Sequence, residues 1–154
     1  MPRIGLISDT HGLLRPQALA FLAGCDHIVH AGDIGDAQVL AALGRLAPVS
    51  AVRGNNDGAA WAAAVPPTQT VTLGGVTLFV LHDLKELALH PAPPHARVIV
   101  CGHSHRPLVQ RQPSGVLVVN PGSAGPRRFK LPVTAAELTI SAEGQCAVRV
   151  EQLL

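Results

Sequence analysis

Short runs of β-forming apolar residues alternate along this chain with polar breaks that contain glycine. The clearest run is Val98, Ile99, Val100 and Cys101, four residues without a charge, which reads as a strand buried on both faces. Gly102 lets the backbone bend, and two imidazoles follow at His103 and His105. In extended backbone, residues two apart point the same way, so this spacing predicts that both rings reach one site just past the strand. Three earlier runs end in the same manner, in Ser8-Asp9-Thr10-His11, His30-Ala31-Gly32-Asp33 and Gly54-Asn55-Asn56-Asp57. Each of these ends supplies a side chain able to bind metal.

Taken in order, Arg3 to Ser8 reads as the first strand and Pro16 to Leu22 as a short helix with proline in its first turn. His27 to His30 is the second strand. A helix rich in Ala and Leu follows over Ala37 to Leu46, capped by Asp36, and Pro48 to Arg53 is the third strand. This repetition of strand, loop and helix is the pattern of a parallel sheet with crossover helices. Ala59 to Ala64 predicts a helical turn that Pro66 and Pro67 break. Thr68 to Leu73 and Val76 to Leu81 are joined by Gly74 and Gly75, a hairpin signal. Leu84 to Leu89 predicts a further helical turn, and Pro91, Pro93 and Pro94 a rigid connection. Beyond the Val98 strand, Leu108 to Gln112 and Val116 to Val119 flank a turn at Pro113-Ser114-Gly115. Thr134 to Ile140 then pairs with Cys146 to Leu153 around Glu143-Gly144. The bulk reading is α/β, with two mixed sheets face to face and helices outside, in one domain over residues 1–154.

Composition sharpens the picture. Eight histidines in 154 residues is a high count and a first hint of metal. The chain is 47% hydrophobic but only 3% aromatic, so Val, Leu, Ile and Ala must build the core. Twelve basic against ten acidic residues leave a formal net charge of +2, which argues against a nucleic-acid partner. Cys25, Cys101 and Cys146 are odd in number with no C-x-x-C spacing, and read as reduced thiols of a cytoplasmic protein. The chain enters a strand without a basic, apolar leader, which predicts no signal peptide. No segment approaches the ~18 apolar residues of a membrane span.

Parallel strands bring their C-terminal ends to one edge, where open α/β sheets bind ligands. Asp9, His11, Asp33, Asn55, His82, His103 and His105 all fall at or just past strand ends. Carboxylate, carboxamide oxygen and imidazole without thiolate suit Mn²⁺, Fe²⁺, Zn²⁺ or Co²⁺ better than a Ca²⁺ or thiolate site. Seven ligands are too many for one ion with open positions. They suffice for two ions if one carboxylate bridges, an arrangement used in phosphate ester hydrolysis. His82, alone after an apolar strand, also has a reading as a core histidine. His27, His30, His90 and His95 lack the spacing and read as structural or surface residues, and Arg53 as a residue that orients its loop or neutralises substrate charge.

In sequence order, Asp9-x-His11, Gly32-Asp33, Gly54-Asn55-x-Asp57, His82 and Gly102-His103-x-His105 resemble the motifs of the calcineurin-like metallophosphoesterases. Asn120-Pro121-Gly122-Ser123 adds a likeness to that superfamily's small bacterial and archaeal phosphodiesterases. The resemblance spans almost the whole chain. It implies a four-layer αββα sandwich of two facing mixed β-sheets with flanking helices, and a dinuclear site. In that site Asp9, His11 and His105 hold one ion, Asn55, His82 and His103 the other, and Asp33 bridges them. Mn²⁺ is the expected metal, with Fe²⁺, Zn²⁺, Co²⁺ or Ni²⁺ as alternatives.

The same resemblance implies hydrolysis of a small phosphodiester or phosphomonoester, with a hydroxide held between the ions attacking phosphorus. Asn56 stands where many members have a histidine that acts as an acid or contacts phosphate, so Asn56 is the candidate catalytic and substrate-binding residue. Asp83 follows His82 where the family tends to have glycine. Arg127 and Arg128, with Lys130, read either as a solvated loop or as a phosphate clamp at the mouth of the site. Asn120 and Ser123 read as turn residues that shape its wall. The alternative function is a non-catalytic scaffold of this fold that binds a partner protein, as the eukaryotic retromer subunit does. Substrate and association into a homo-oligomer stay open.

Overall fold

Gly5 and its neighbours pair with two strands that lie far apart in the chain, and that pairing organises the first of two sheets. In the computed structural model, which covers residues 1–154, β1 (Arg3–Ile7) runs parallel to β2 (His27–His30) and antiparallel to β9 (Thr134–Ile140). β3 (Val49–Ala51) extends the sheet on one side, parallel to β2, and β10 (Cys146–Gln152) on the other, antiparallel to β9. The resulting order is β10-β9-β1-β2-β3. The second sheet has the order β4-β5-β6-β8-β7, from β4 (Thr68–Leu73), β5 (Val76–Leu81), β6 (Val98–Val100), β7 (Leu108–Arg111) and β8 (Leu117–Asn120). Its three middle strands are parallel and its two edges antiparallel, so both sheets are mixed.

Strand alternation divides the apolar residues between three layers. Ile4, Leu6 and Leu138 from the first sheet meet Leu78, Val80, Val100 and Val119 from the second in a shared core of 15 buried residues. Ile7 and Ile28 turn outward against α1 (Pro16–Leu22) and α2 (Ala37–Gly44). Phe79, Ile99 and Val118 turn outward from the second sheet against Leu84, Leu87 and Ala92. The expected αββα layering is present, but the layer over the second sheet is thin. A 3-10 helix over Leu84–Ala88 and the proline segment form it in place of an α-helix.

Most predicted elements occur with the expected bounds, and the differences have local causes. Pro16 occupies the first turn of α1, and Asp36 caps α2 by accepting a hydrogen bond from the Gln38 N–H at 2.8 Å. α2 ends at Gly44 rather than Leu46, because Arg45 and Leu46 make tighter bonds to Ala42 and Leu43 as the chain turns toward β3. β3 is only three residues long because its one neighbour, β2, ends at His30. The turn predicted over Ala59 to Ala64 is a 3-10 helix at Ala60–Ala64. No helix is long and apolar enough to cross a membrane.

Leu138 is fully buried between Ile4 and Val148 in the sheet register. Leu138→Ala should lower the unfolding free energy by about 2–5 kcal/mol through lost burial and the cavity left behind, measured by urea denaturation.

Candidate metal centre

Five strands with parallel neighbours point their C-terminal ends toward the seam between the sheets. β1 leads to Asp9 and His11, β2 to Asp33, β3 to Asn55, β5 to His82, and β6 to His103 and His105. The loops after β1 and β2 remain paired beyond the strands: the N–H groups of Asp9, His11 and Gly12 donate to the carbonyls of Gly32, Asp33 and Ile34 at 2.8–2.9 Å. The seam between the sheets is closed by the His103 N–H, which donates to Asp9 Oδ2 at 3.1 Å. Glycine at 102 permits this approach, since a Cβ there would stand 2.7 Å from Asp9 Oδ2 and overlap the Ser8 hydroxyl. A Cβ at Gly54 would likewise collide with the Asp33 carboxylate.

Six non-glycine residues have positive φ, and five of them belong to this cluster: Asp9, His11, Asp33, His103 and His105. Such left-handed residues are strained by roughly 1–3 kcal/mol each and persist where the surroundings over-determine them. The backbone here is not extended as the His-x-His spacing assumed: with φ of 71° and 64°, His103 and His105 reach the same cluster but join adjoining groups within it.

The side chains gather into two adjoining groups. Asp9, His11 and His105 form one and Asp33, His82 and His103 the other, with the donor atoms of each group within 4.8 Å of one another. Asn55 joins the second, its Oδ1 lying 3.3 Å from His103 Nδ1. All seven residues singled out as candidate ligands therefore meet at one place. Asp9 Oδ1 faces the Nε2 atoms of His105, His11 and His82 at 3.3, 3.8 and 3.8 Å. Asp33 Oδ2 faces His82 Nε2 at 3.2 Å and His11 Nε2 at 3.8 Å, one ring from each group.

Hydrogen-bond accounting shows what this arrangement lacks. Asp9 Oδ1, His11 Nε2, His82 Nε2 and His105 Nδ1 are buried without a partner, which native interiors rarely tolerate. His82 is the most telling. Its Nδ1 donates to the carbonyl of Ala31 at 2.7 Å, so in the neutral ring Nε2 carries a lone pair facing two carboxylates. Acceptor faces acceptor, and a cation between them would give the His82 lone pair and the carboxylate oxygens a common partner. The donor set of carboxylate oxygen, amide oxygen and imidazole nitrogen fits a divalent ion of the Mn²⁺ to Zn²⁺ range.

Comparisons with known proteins identify the family. Residues 2–143 match the calcineurin-like phosphoesterase superfamily domain. The chain belongs to that superfamily. A probable metallophosphoesterase of Methanocaldococcus jannaschii is 32% identical over 133 residues, covering 78% of this chain and 67% of that protein. Among solved structures, an archaeal phosphodiesterase has a TM-score of 0.76 at 23% identity, covering 97% of this chain and 99% of that one. Vps29 of Entamoeba histolytica, complexed with Zn²⁺, has a TM-score of 0.73 at 19% identity and covers 99% of both chains.

In this member of the superfamily the other predicted residues take varied positions. Asn56 lies beside Asp33, its backbone N–H donating to Oδ1 at 2.9 Å and its side-chain amide to Oδ2 at 3.2 Å. Arg127 and Arg128 lie on an exposed loop. The charge of Arg128 acts on His105, and nothing in the structure ties Arg127 to the site. Arg53 donates to the Val65 carbonyl at 2.9 Å and lines a cleft next to Asn55 and His82. Asn120 and Ser123 brace the wall: the Asn120 amide donates to the Gly102 carbonyl and the Ser104 hydroxyl, and Ser123 Oγ to the Asp9 carbonyl.

Two further residues hold the loops and escaped the reading by spacing. Asp57 accepts from the N–H groups of Gly54, Ile34 and Gly35 at 2.8–3.0 Å, latching the loop after β3 to the loop after β2. His30 is fully buried; its Nδ1 accepts from the Gly32 N–H, and its Nε2 meets Thr10 Oγ1 at 3.0 Å. Thr10 in turn donates to the Ile34 carbonyl. The placement of Asp57 after Gly54 hints at a local turn, but its bonds to Ile34 and Gly35 span more than 20 residues and leave no mark in the local pattern.

Burial and charge set the protonation of the cluster. Burial pushes the Asp33 carboxyl upward, but the adjacent His82 ring and the Asn56 N–H hold it down at about 2. Burial works against a charged His82, yet Asp33 and Asp9 outweigh it and raise the pKa. Burial lowers that of His105, with Arg128 adding to the effect and Asp9 opposing it. Burial alone dominates at His30, which falls from 6.5 to about 3. Below pH 6.5 the unfolded chain therefore takes up a proton that the folded protein refuses. The contribution of His30 is complete above pH 6.5 and is lost as pH falls toward 3, by about 1.4 kcal/mol per pH unit. His30→Asn should flatten the acid slope of stability between pH 6 and 4 by up to one proton, read from urea denaturation of metal-free protein over a pH series.

Proposed function

We propose that this chain is a dinuclear metal-dependent phosphoesterase that hydrolyses a small phosphodiester, with residues 1–154 as one metallophosphoesterase domain. The observation that carries the reading is the buried His82 Nε2 lone pair set against Asp33 and Asp9, amid further unpartnered donor and acceptor atoms. Asp9, His11 and His105 would hold one ion, and Asn55, His82 and His103 the second. Asp33, facing a ring from each group, would serve both. Mn²⁺ is the metal we assign, on the mixture of carboxylate, amide and imidazole donors without thiolate. Such ions, when bound, neutralise phosphoryl charge and lower the pKa of water.

The protein's own residues then orient the ester. Arg128 places positive charge on the His105 side, where a phosphoryl oxygen gains from it. A cleft of about 170 Å³ lined by Arg53, Asn55, His82, Asp83 and Glu86 adjoins the second group. A broader hollow of about 480 Å³ on the His103 side is walled by Leu84, Cys101, Pro107 and Leu108. Two hollows of this size suit the two arms of a small diester. Asn56 offers amide hydrogens to Asp33 or to phosphate, but no titratable proton for a departing alkoxide. Three free thiols, two of them buried, suit a reducing, cytoplasmic setting.

The Vps29 likeness supports a second reading, in which the fold serves as a partner-binding scaffold. The Zn²⁺ complex of the Entamoeba protein means that bound metal by itself does not separate the two readings. Turnover does. Protein loaded with metal and assayed against a panel of phosphomonoesters and phosphodiesters should cleave diesters, and a fully loaded protein inert toward the whole panel would favour the scaffold.

Metal content gives a second check. Elemental analysis after reconstitution with Mn²⁺ should find two ions per chain, with Asp33→Ala weakening both; one ion or none at saturation would defeat the dinuclear reading. A third check uses Asn56. General acids contribute typically ~10²–10⁴-fold, so without one the rate should fall steeply as the leaving group becomes more basic. Aryl diesters should react well and alkyl esters poorly, and Asn56→His should flatten the dependence across a series of substituted phenyl esters. A flat series in the wild-type protein would point to assistance from another group.

A further inference from the structure

Asp83 stands directly after His82, and its carboxylate has a separate neighbour for each oxygen. Oδ1 accepts a hydrogen bond from the Lys85 N–H at 3.1 Å and so caps the 3-10 helix at Leu84–Ala88. That bond fixes the plane of the carboxylate and turns Oδ2 toward His103, 3.7 Å from its Nε2. On the opposite side of the same ring, Nδ1 faces Asn55 Oδ1 at 3.3 Å.

His103 needs such a partner more than the other imidazoles do. Its side chain is 43% exposed, against 19% for His11 and 6% for His82 and His105. It also sits on a left-handed residue, with only an edge contact to the His82 ring at 5.2 Å between centroids. His82 is held by the Ala31 carbonyl, whereas no backbone carbonyl accepts from His103. A loosely packed ring free to turn presents either nitrogen, in either tautomer, and makes a poor ligand.

We propose that Asp83 is the positioning residue for His103. It accepts the proton on Nε2 and leaves the Nδ1 lone pair facing Asn55 and the second cation. At 3.7 Å the contact is longer than a hydrogen bond, so this role requires the exposed ring to turn toward Asp83. A carboxylate behind a ligating imidazole fixes the tautomer and raises the basicity of the ligand, and its loss typically weakens metal binding 10–100-fold. The proposal rests on the dinuclear reading above and adds to it a residue that the motif resemblance does not supply.

The test is titration of Zn²⁺ into metal-free protein by calorimetry, with chelator competition for tight sites. The second-group ion is identified as the one lost in His82→Ala. Asp83→Asn and Asp83→Ser each retain an oxygen that can cap Lys85, so the 3-10 helix survives while the carboxylate is gone. Both variants should weaken the second-group ion by ~10–100-fold and leave the first-group ion unchanged. In a His103→Ala background, Asp83→Asn should have no additional effect, because the residue acts through that ring. Second-group binding at wild-type strength in both variants would overturn the proposal while leaving the dinuclear reading intact. Equal weakening of both ions, or losses that multiply in the double variant, would overturn it as well, by showing that Asp83 acts on the site as a whole or as a ligand itself. Wild-type protein that takes fewer than two ions would instead remove the dinuclear reading on which the proposal stands.

Discussion

Two buried carboxylates and the unprotonated faces of several imidazoles are turned toward one another in the seam between two sheets, and the rest of the architecture answers to that constraint. Asp9 Oδ1 has no hydrogen-bond partner, and the His82 Nε2 lone pair faces both carboxylates while that ring is neutral. Inside a protein the electrostatic consequence is large, because the solvent that would screen such groups is excluded. Protons relieve it in part, as the raised pKa of His82 shows. A divalent cation relieves it more fully, since it offers several coordination positions at one point.

The fold holds these groups in place by rigid loops rather than by packing of the side chains alone. The strand ends continue their pairing past β1 and β2. Asp57, His30 with Thr10, and Asn120 then tie each loop to a neighbour by hydrogen bonds between groups distant in sequence. Five left-handed non-glycine residues are the cost of aiming the side chains inward. The inter-sheet core beneath, built from small branched aliphatics with few aromatics, supplies the stiffness against which that strain is held.

Membership of the superfamily states what chemistry the site is built for, and it leaves open how this chain uses it. Folds host many functions, and function resides in the site. Here the site departs from the motif pattern at Asn56 and Asp83, which flank opposite ends of the second ligand group. The first sets a carboxamide, which has no titratable proton, beside Asp33; the second sets a carboxylate 3.7 Å from the His103 ring. Both alter the surroundings of the candidate ligands without altering those residues themselves.

Much of this was legible in the sequence because it is local. Strand alternation, the Gly74-Gly75 hairpin and the Asp36 cap depend on neighbours in the chain, and they appear as the pattern predicts. The candidate ligands could be named because each follows an apolar run directly, and parallel strands bring such ends together. The left-handed backbone at His103 and His105 could not be read that way; it accompanies hydrogen bonds that tie this loop to Asp9 and Asn120, across 94 and 18 residues of chain. The roles of His30, Asp57 and Asp83 were hidden for the same reason, since a histidine or aspartate in a loop has the same sequence signature whether it faces solvent or a distant peptide. The sequence by itself determined which side chains reach the edge of the sheets. Only the tertiary structure decided how the loops are latched together and which atoms are left without partners, because those outcomes depend on hydrogen bonds between loops that are remote in the chain.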